Sequence, residues 1–564
     1  MNDDHGATFH SERFSLRNSV CECFQANVAI QGEAPALVWR DDSNDVCISW
    51  TAYGEKVRRI STGLNRLGVS KGEVVGLMLT NRPEFFLADT AIQHLNAVAY
   101  SVYNTASISQ ISETLRRTEA RVVITERAFV DRLSAAVDMA ACKVEHIILV
   151  DGPVDGKFLT LDELAEMTSE TFDFDATWRA VSPDDSAVLV FTSGTTGPPK
   201  AVDLTHANLL SQWEKLIQVW PIQPFGRIVS YLPSAHIADR TTGIYASNIM
   251  GFGIFCCPDV SQLYSVIQRA RPTFFMAVPR IWEKLKTQIE TKVAALDEAR
   301  RNLFSDGIQA GIRIWRARAG GSDTNAADIE RHRAAEEAVF RGLRDGMGFG
   351  DVMTLMVGAA PMPLDVHEFF AAIGMPLPEL WGMTESSAIA TWNPPEGIKF
   401  GTVGKPLPDV EITLASDNEI LVRGSTIMRG YRDDPVQTAE TIDGEGWLHT
   451  GDTGEWTMDG YLKLTGRKKE LIINSAGKNM SPMNIEAELK GASSLIGQVC
   501  VVGDGRKYNV ALIMLDRTAA SSIAVELGSG LEEICPTSSK LKTSCQKSRG
   551  RLSGPTRTCR AQNR

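Results

Sequence analysis

The 564-residue chain has few cysteines, only 7% aromatic residues and no excess of positive charge. Its ten cysteines form no CxxC pair and no zinc-type Cys/His spacing, which argues against a disulfide framework or a metal-stapled fold. The 58 basic residues are outnumbered by 69 acidic ones, for a net charge of −11. A general nucleic-acid binder carries the opposite balance. No apolar run approaches the roughly 18–20 residues of a membrane span. The opening MNDDHGATFHSERF is too polar for a signal peptide. Hydrophobic residues make up 43% of the chain, which excludes wholesale disorder. The expected setting is cytoplasmic, with most cysteines serving as small buried hydrophobes.

A chain this long predicts three or four packed units at about 100–200 residues each. Its charge is unevenly spread. Residues 535–564 hold three Lys, five Arg and no acid, a local +8, so the remaining 534 residues carry −19. With Leu541 and Leu552 as the tail's large aliphatics, it lacks the apolar surface to offset its ordering entropy.

Apolar runs at 74–79, 122–125 and 146–150 read as strands, and amphipathic windows at 84–95 and 107–118 as helices between them, so the class is α/β. Residues 249–257 read as a buried strand and 281–319 as one long helical stretch. A charged helix to about 344 completes what reads as a solvated helical pair. Alternation over 411–422 predicts antiparallel strands, and a hinge is expected near Gly466.

The most informative segment is Leu189-Val190-Phe191-Thr192-Ser193-Gly194-Thr195-Thr196-Gly197-Pro198-Pro199-Lys200. An apolar strand enters a loop of hydroxyl and glycine residues that ends on a lysine. Thr205 is placed to cap a following helix that buries Leu209, Trp213, Leu216 and Ile217. Glycines admit backbone N–H groups to an anion, hydroxyls donate to phosphate oxygens, and Lys200 neutralises charge. The GK[ST] ending of a Walker loop is missing.

With this loop the chain resembles the adenylate-forming acyl- and aryl-CoA synthetases, whose ATP signature is TSGTTGxPK. The likeness continues in order through Gly358-Ala359-Ala360-Pro361, Trp381-Gly382-Met383-Thr384-Glu385, Gly446-Trp447-Leu448-His449-Thr450-Gly451-Asp452 and Gly466-Arg467-Lys468-Lys469-Glu470. It covers residues 35–515. Val278-Pro279-Arg280-Ile281-Trp282, the helical insertion and Leu232-Pro233-Ser234-Ala235-His236 are similar to the bacterial FadD-type long-chain fatty acyl-CoA synthetases.

The resemblance implies an adenylate-forming fold, with a large N-terminal domain (1–465) binding ATP and acyl chain. A small α+β C-terminal domain (466–534) would be mobile and incomplete, followed by the aberrant tail (535–564). ATP would meet Thr192, Ser193, Gly194, Thr195, Thr196, Gly197 and Lys200, with adenine beside Gly358, Ala359, Ala360 and Gly382. Thr384 could donate to the α-phosphate, and Thr195 and Glu385 would hold Mg²⁺ through hard oxygens. Trp381 offers adenine a flat face, or is a core tryptophan. Asp452 can accept from both ribose hydroxyls, or is a surface turn residue. Arg467 would meet the ribose, Lys469 would be the pivot of domain rotation, and Gly477 would line the coenzyme A entry. His236 would border the acyl carboxylate in a gating or positioning role. Ala201, where the family usually has glycine, would need φ < 0 or a local adjustment.

The implied activity is ATP-dependent ligation of a long-chain fatty acid to coenzyme A, with Mg²⁺. A carrier protein as acceptor, or a non-catalytic nucleotide- and acyl-binding remnant, is the alternative. No nucleic-acid partner is expected, and membrane contact would be peripheral. The likeness fades after Asp516. The tail is therefore expected to be truncated or frame-shifted, with Lys540 not the family's late catalytic lysine; an intact in-frame domain at the locus would overturn this.

Overall fold

The computed structural model describes residues 17–41, 44–139, 142–152, 156–192, 199–470, 472–473, 479–491, 493, 495–504, 506, 508–516 and 520–521. Ser193, Gly194, Thr195, Thr196, Gly197, Gly477 and the 535–564 tail with Lys540 lie outside them. The chain divides into two units, Met1–Leu464 and Thr465–Arg564.

Val74–Met78 is buried at every position, as is Val122–Thr125. Strands buried on both faces read as continuous apolar runs, the pattern of a parallel sheet covered by helices. They belong to an eight-stranded sheet ordered Gly430–Tyr431, Lys200–Thr205, Ser186–Thr192, Val98–Ser101, Val74–Met78, Val122–Thr125, His146–Leu149 and Leu159–Thr160. From Ser186–Thr192 outward the pairs run parallel. At the other edge Lys200–Thr205 and Gly430–Tyr431 pair antiparallel. A four-stranded sheet joins Arg227–Ser230, Gly253–Cys256, Pro35–Asp41 and Asn44–Ser49. An antiparallel sheet follows with Val410–Leu414, Glu419–Gly424, Leu448–Trp456 and Leu462–Arg467.

Helix starts follow local chemistry. Ser107 and Gln110 form a capping box at the head of Ile108–Thr118, and Thr205 does the same with Asn208 before His206–Val219, each satisfying two orphan N–H groups. Leu209, Trp213 and Leu216 of that helix are buried, and Ile217 is partly so.

Four expectations need correction. Residues 281–319 are not one helix: Pro279–Ala294 ends, and Asp297 caps a second helix, Glu298–Ala319. Nor is that insertion a solvated pair. Gly307 and Gly311 lack the Cβ that would lie 2.2 Å from Ala335 Cβ and 2.8 Å from Ala372 Cβ, so the helix seats closely on its neighbours and buries Phe304, Ile308 and Ile314. The charged helix is itself interrupted: Ala326–Ala335 passes through a π turn, Glu336–Phe340, into Arg341–Met347. Finally, Ile249 and Met250 close the helix Ala246–Met250, and only Gly253–Cys256 is strand. Among the described cysteines, Cys21, Cys23, Cys256 and Cys257 are buried as expected, but Cys47 and Cys500 are exposed.

The second unit holds a hairpin (Ile472–Ile473 with Asn479–Met480), the helix Pro482–Gly491 and the antiparallel pair Ile496–Val502 and Val510–Leu515. Ile472, Val499 and Val501 form its described core. No helix among the described residues is long and apolar enough to cross a membrane.

Buried ionisable groups set an acid limit. His94 donates from Nδ1 to the Thr90 carbonyl and faces Gln25 through Nε2; burial pulls it down to about 4. His206 accepts the Val20 N–H on Nδ1, and burial pulls it down to about 3. Asp239 runs the other way, pushed up by burial to about 7. Lowered histidines stabilise fully above the unfolded value of about 6.5 and lose this as pH falls toward 4 and 3. The raised Asp239 stabilises fully below its unfolded value near 4 and loses this as pH rises through 7. As pH falls from 6.5 to 4 these two histidines, together with His236, which burial also lowers, oppose one carboxyl, so stability falls on acidification. The melting temperature is expected to fall over that window, and more steeply in Asp239→Asn. Circular dichroism melts across pH 4–8 check this; equal slopes in both proteins would refute it.

Candidate active site

The entry strand Ser186–Thr192 and the exit strand Lys200–Thr205, which flank residues 193–199, are hydrogen-bonded partners, with Thr192 opposite Lys200. Ala201 sits in extended strand opposite Phe191, so the methyl group that replaces the family's glycine needs no adjustment there. Gly430–Tyr431 covers the outer edge of the exit strand, Tyr431 opposite Val202 and Gly430 opposite Asp203. The Arg432 N–H donates to the Ala201 carbonyl.

Thr384-Glu385-Ser386 forms one 3₁₀ turn, with Thr384 and Glu385 only 8% and 5% exposed. The Met428 N–H donates to the Glu385 carbonyl, and the Ser387 hydroxyl donates to the Thr426 carbonyl at 2.6 Å. Segment 426–432 is thus bonded to the acidic turn and, in the same stretch, to the loop's exit strand. Three backbone pieces far apart in sequence are locked together by main-chain donors and acceptors.

Tyr431 stands where they meet. Its hydroxyl donates to Glu385 Oε1 at 2.9 Å, and the Lys200 ammonium lies 4.8 Å from its ring centroid, within cation–π range. Burial first, and the Glu385 carboxylate second, push its phenol up, so it keeps its proton and donates. Sequence reasoning missed Tyr431. Its signal was modest, a Gly-Tyr pair shortly before the Asp433-Asp434-Pro435 turn.

Trp381 is 6% exposed and part of the large core. Its indole N–H donates to Asp452 Oδ2 at 2.8 Å, and the Asp452 N–H donates to Thr450 Oγ1. Asp452, 7% exposed, is therefore a buried and oriented carboxylate rather than a surface turn residue. Gly382 follows because a Cβ there would sit 2.2 Å from the Ala388 carbonyl oxygen. Gly358 leaves the strand Thr354–Val357 against Leu380, whose Cδ1 a Cβ would meet at 2.7 Å. The exposed Ala359 and Ala360 follow it. Ala359, Ser387 and Ala388 adopt φ of 69°, 59° and 100°. Such left-handed non-glycine residues cost of order 1–3 kcal/mol each and gather at sites that the surrounding structure over-determines.

His236 occupies a separate element. Its Nδ1 accepts from the Ala238 N–H at 3.1 Å, capping the turn Ile237–Asp239. Burial lowers its pKa, so the ring is neutral and Nε2 carries the proton. Beneath it lies a buried network. Asn81 Nδ2 donates to the Leu232 carbonyl and Ser230 Oγ, and Ser230 donates to Asp239. Arg240, at the start of a π turn, pairs with Asp89 at 2.8 Å with both side chains fully buried. A hydrogen bond thus brings together Trp381 and Asp452, and a cation–π contact and a hydrogen bond bring Lys200 and Glu385 together through Tyr431, while His236 keeps to its own turn. In the second unit Arg467 ends the strand Leu462–Arg467, and exposed Lys468, Lys469 and Glu470 form a turn closed by the Glu470 N–H on the Arg467 carbonyl.

The donor set suits Mg²⁺: Glu385 supplies a buried hard oxygen, and its turn is fixed by main-chain bonds, as a small cation that demands ordered geometry requires. No metal-ligating cluster of three or more His, Cys, Asp or Glu occurs among the described residues.

Residues 24–432 match the family model described as AMP-binding enzyme, and residues 469–549 that of the AMP-binding enzyme C-terminal domain. FadD11 of Mycobacterium tuberculosis is 43% identical over 374 residues, 66% of this chain and 66% of that protein's length. The long-chain-fatty-acid–CoA ligase FadD15 of Mycobacterium bovis is 30% identical over 492 residues, 86% of this chain and 78% of the other. Among solved structures, O-succinylbenzoate coenzyme A synthetase (MenE) from Bacillus subtilis, in complex with ATP and magnesium ion, superposes with a TM-score of 0.65. It shares 21% identity and covers 87% of this chain and 89% of its own, a likeness of fold.

Proposed function

The chain belongs to the AMP-binding enzyme family, and from that premise we propose that it is an ATP-dependent long-chain fatty acid–CoA ligase. The observation that supports this most directly is the meeting of Lys200 and Glu385 at one tyrosine. A cation for phosphate oxygens and a buried hard-oxygen carboxylate thereby stand beside the strands that bracket the loop.

In the first half-reaction a fatty acid carboxylate oxygen attacks the α-phosphorus of ATP. The bond to the β-phosphate's bridging oxygen breaks, and pyrophosphate leaves. Lys200 and the Thr384 hydroxyl stabilise the charge on the phosphates, and Asp452, held by Trp381, accepts from the ribose hydroxyls. Adenine would lie beside Gly358, Ala359, Ala360 and Gly382. Glu385 and Thr195 would hold Mg²⁺, which would supply charge neutralisation on the phosphates. In the second, the coenzyme A thiolate attacks the acyl carbonyl and AMP leaves. No protein nucleophile is needed: the work is positioning and electrostatic stabilisation. His236, neutral and capping a rigid turn, borders the acyl carboxylate. The division at 465/466, rotation at Lys469, ribose contact by Arg467 and a coenzyme A path by Gly477 belong to the same proposal, as does a cytoplasmic setting.

Fatty-acid-dependent pyrophosphate release, measured with and without coenzyme A, tests it. Release with acyl-CoA as product is the expected result. Release without thioester would point to a carrier protein as acceptor, and no release with any long-chain acid would refute ligase activity.

A further inference from the structure

We infer that Tyr431 is a positioning residue of this site, its hydroxyl orienting the Glu385 carboxylate for Mg²⁺ and its ring holding the Lys200 ammonium. The inference rests on the ligase reading only for the identity of the nucleotide. Tyr431 and Glu385 are 7% and 5% exposed, so their 2.9 Å hydrogen bond is sheltered from competing water. A neutral donor on Oε1 fixes the carboxylate plane without cancelling its charge. The Lys200 ammonium sits over the ring face 4.8 Å from the centroid. The ring holds the cation through its π face while the hydroxyl at its edge donates to the anion.

The tyrosine is itself fixed from the main chain. Its N–H donates to Thr438 Oγ1 at 2.9 Å, and Thr438 donates to the Asp434 carbonyl. Gly430, at φ 153°, leaves no Cβ where one would lie 2.8 Å from Thr438 Cγ2. Together with its pairing to Val202, this delivers the ring in one orientation, as a supporting residue must be.

Two variants separate the two contacts: Tyr431→Phe removes the hydroxyl and keeps the ring face, and Tyr431→Leu removes both. Calorimetric binding of ATP to the full chain, with graded MgCl₂ and with EDTA, reads them apart. In Tyr431→Phe the Mg²⁺ needed for half-maximal binding is expected to rise about tenfold, the scale of one hydrogen bond to a charged group, with Mg²⁺-free ATP binding unchanged. Tyr431→Leu is expected to show the same rise and, in addition, about threefold weaker Mg²⁺-free binding, the scale of an exposed cation–π contact. Wild-type Mg²⁺ dependence in Tyr431→Phe would overturn the inference. So would equal weakening with and without Mg²⁺ alongside a lowered melting temperature, which marks a packing role, or wild-type binding that ignores Mg²⁺. A wild-type protein that binds Mg²⁺–ATP but releases no pyrophosphate would refute the ligase reading, and the Mg²⁺ series would still decide this one.

Discussion

Glu385→Gln is expected to lower fatty-acid-dependent pyrophosphate release by roughly 10²–10³-fold, the usual scale for losing one preorganised electrostatic group. The substitution preserves shape. The amide oxygen can still accept from Tyr431, whose hydroxyl lies 2.9 Å from Oε1, and neither the Met428 N–H bond to the Glu385 carbonyl nor the Ser387 hydroxyl bond to Thr426 involves the side chain's charge. What disappears is a buried negative charge, so the loss should fall on turnover and Mg²⁺ dependence with the fold unchanged. Stopped-flow pyrophosphate detection together with a thermal melt distinguishes the two. Activity within about threefold of wild type would remove Glu385 from the reaction, because a carboxylate holding the metal cannot be that dispensable.

The second large effect concerns stability. Arg240→Met is expected to destabilise the first unit by about 3–5 kcal/mol, because it leaves the Asp89 carboxylate in the interior without its counter-charge. The geometry is demanding: the Arg240 guanidinium donates to Asp89 at 2.8 Å, to Ser101 at 2.7 Å and to Tyr245 at 3.2 Å, and Gln93 donates to the other Asp89 oxygen at 2.6 Å. The double variant Asp89→Leu/Arg240→Met should recover most of that loss, since apolar replacement of a whole buried pair is often neutral. Urea unfolding midpoints of the three proteins provide the check. A single variant as stable as wild type would mean that the pair carries no buried charge.

Much of this was legible in the sequence wherever the physics is local. The 74–79 and 122–125 strands announce themselves because burial on both faces leaves no polar alternation. Thr205 was readable as a cap because capping depends on three or four adjacent residues. The break before Glu298 escaped because apolar spacing continues across it, while the interruption comes from Asp297 taking a cap role. The burial of the insertion escaped because Gly307 and Gly311 read as helix weakeners, and only the neighbouring helices reveal them as contact points. Within the site, the motifs marked Lys200, Glu385, Trp381 and Asp452 individually. The bonds that join them, Trp381 to Asp452 and Tyr431 to Glu385, close across long sequence separations, and no periodicity encodes a contact of that kind.

The pairing of Thr192 with Lys200 bears on how such a protein can change. Residues 193–199 are closed at their base by the ladder of the two strands. The free energy of closing a loop grows only logarithmically with its length, whereas a one-residue slip in the strands would turn every side chain to the opposite face. Selection can therefore rewrite or lengthen residues 193–199 at little cost to folding, while Lys200 stays over the Tyr431 ring. Under the proposed ligase function, nucleotide affinity and structural integrity are then nearly separate traits, and a variant library confined to 193–199 should sample the first while sparing the second.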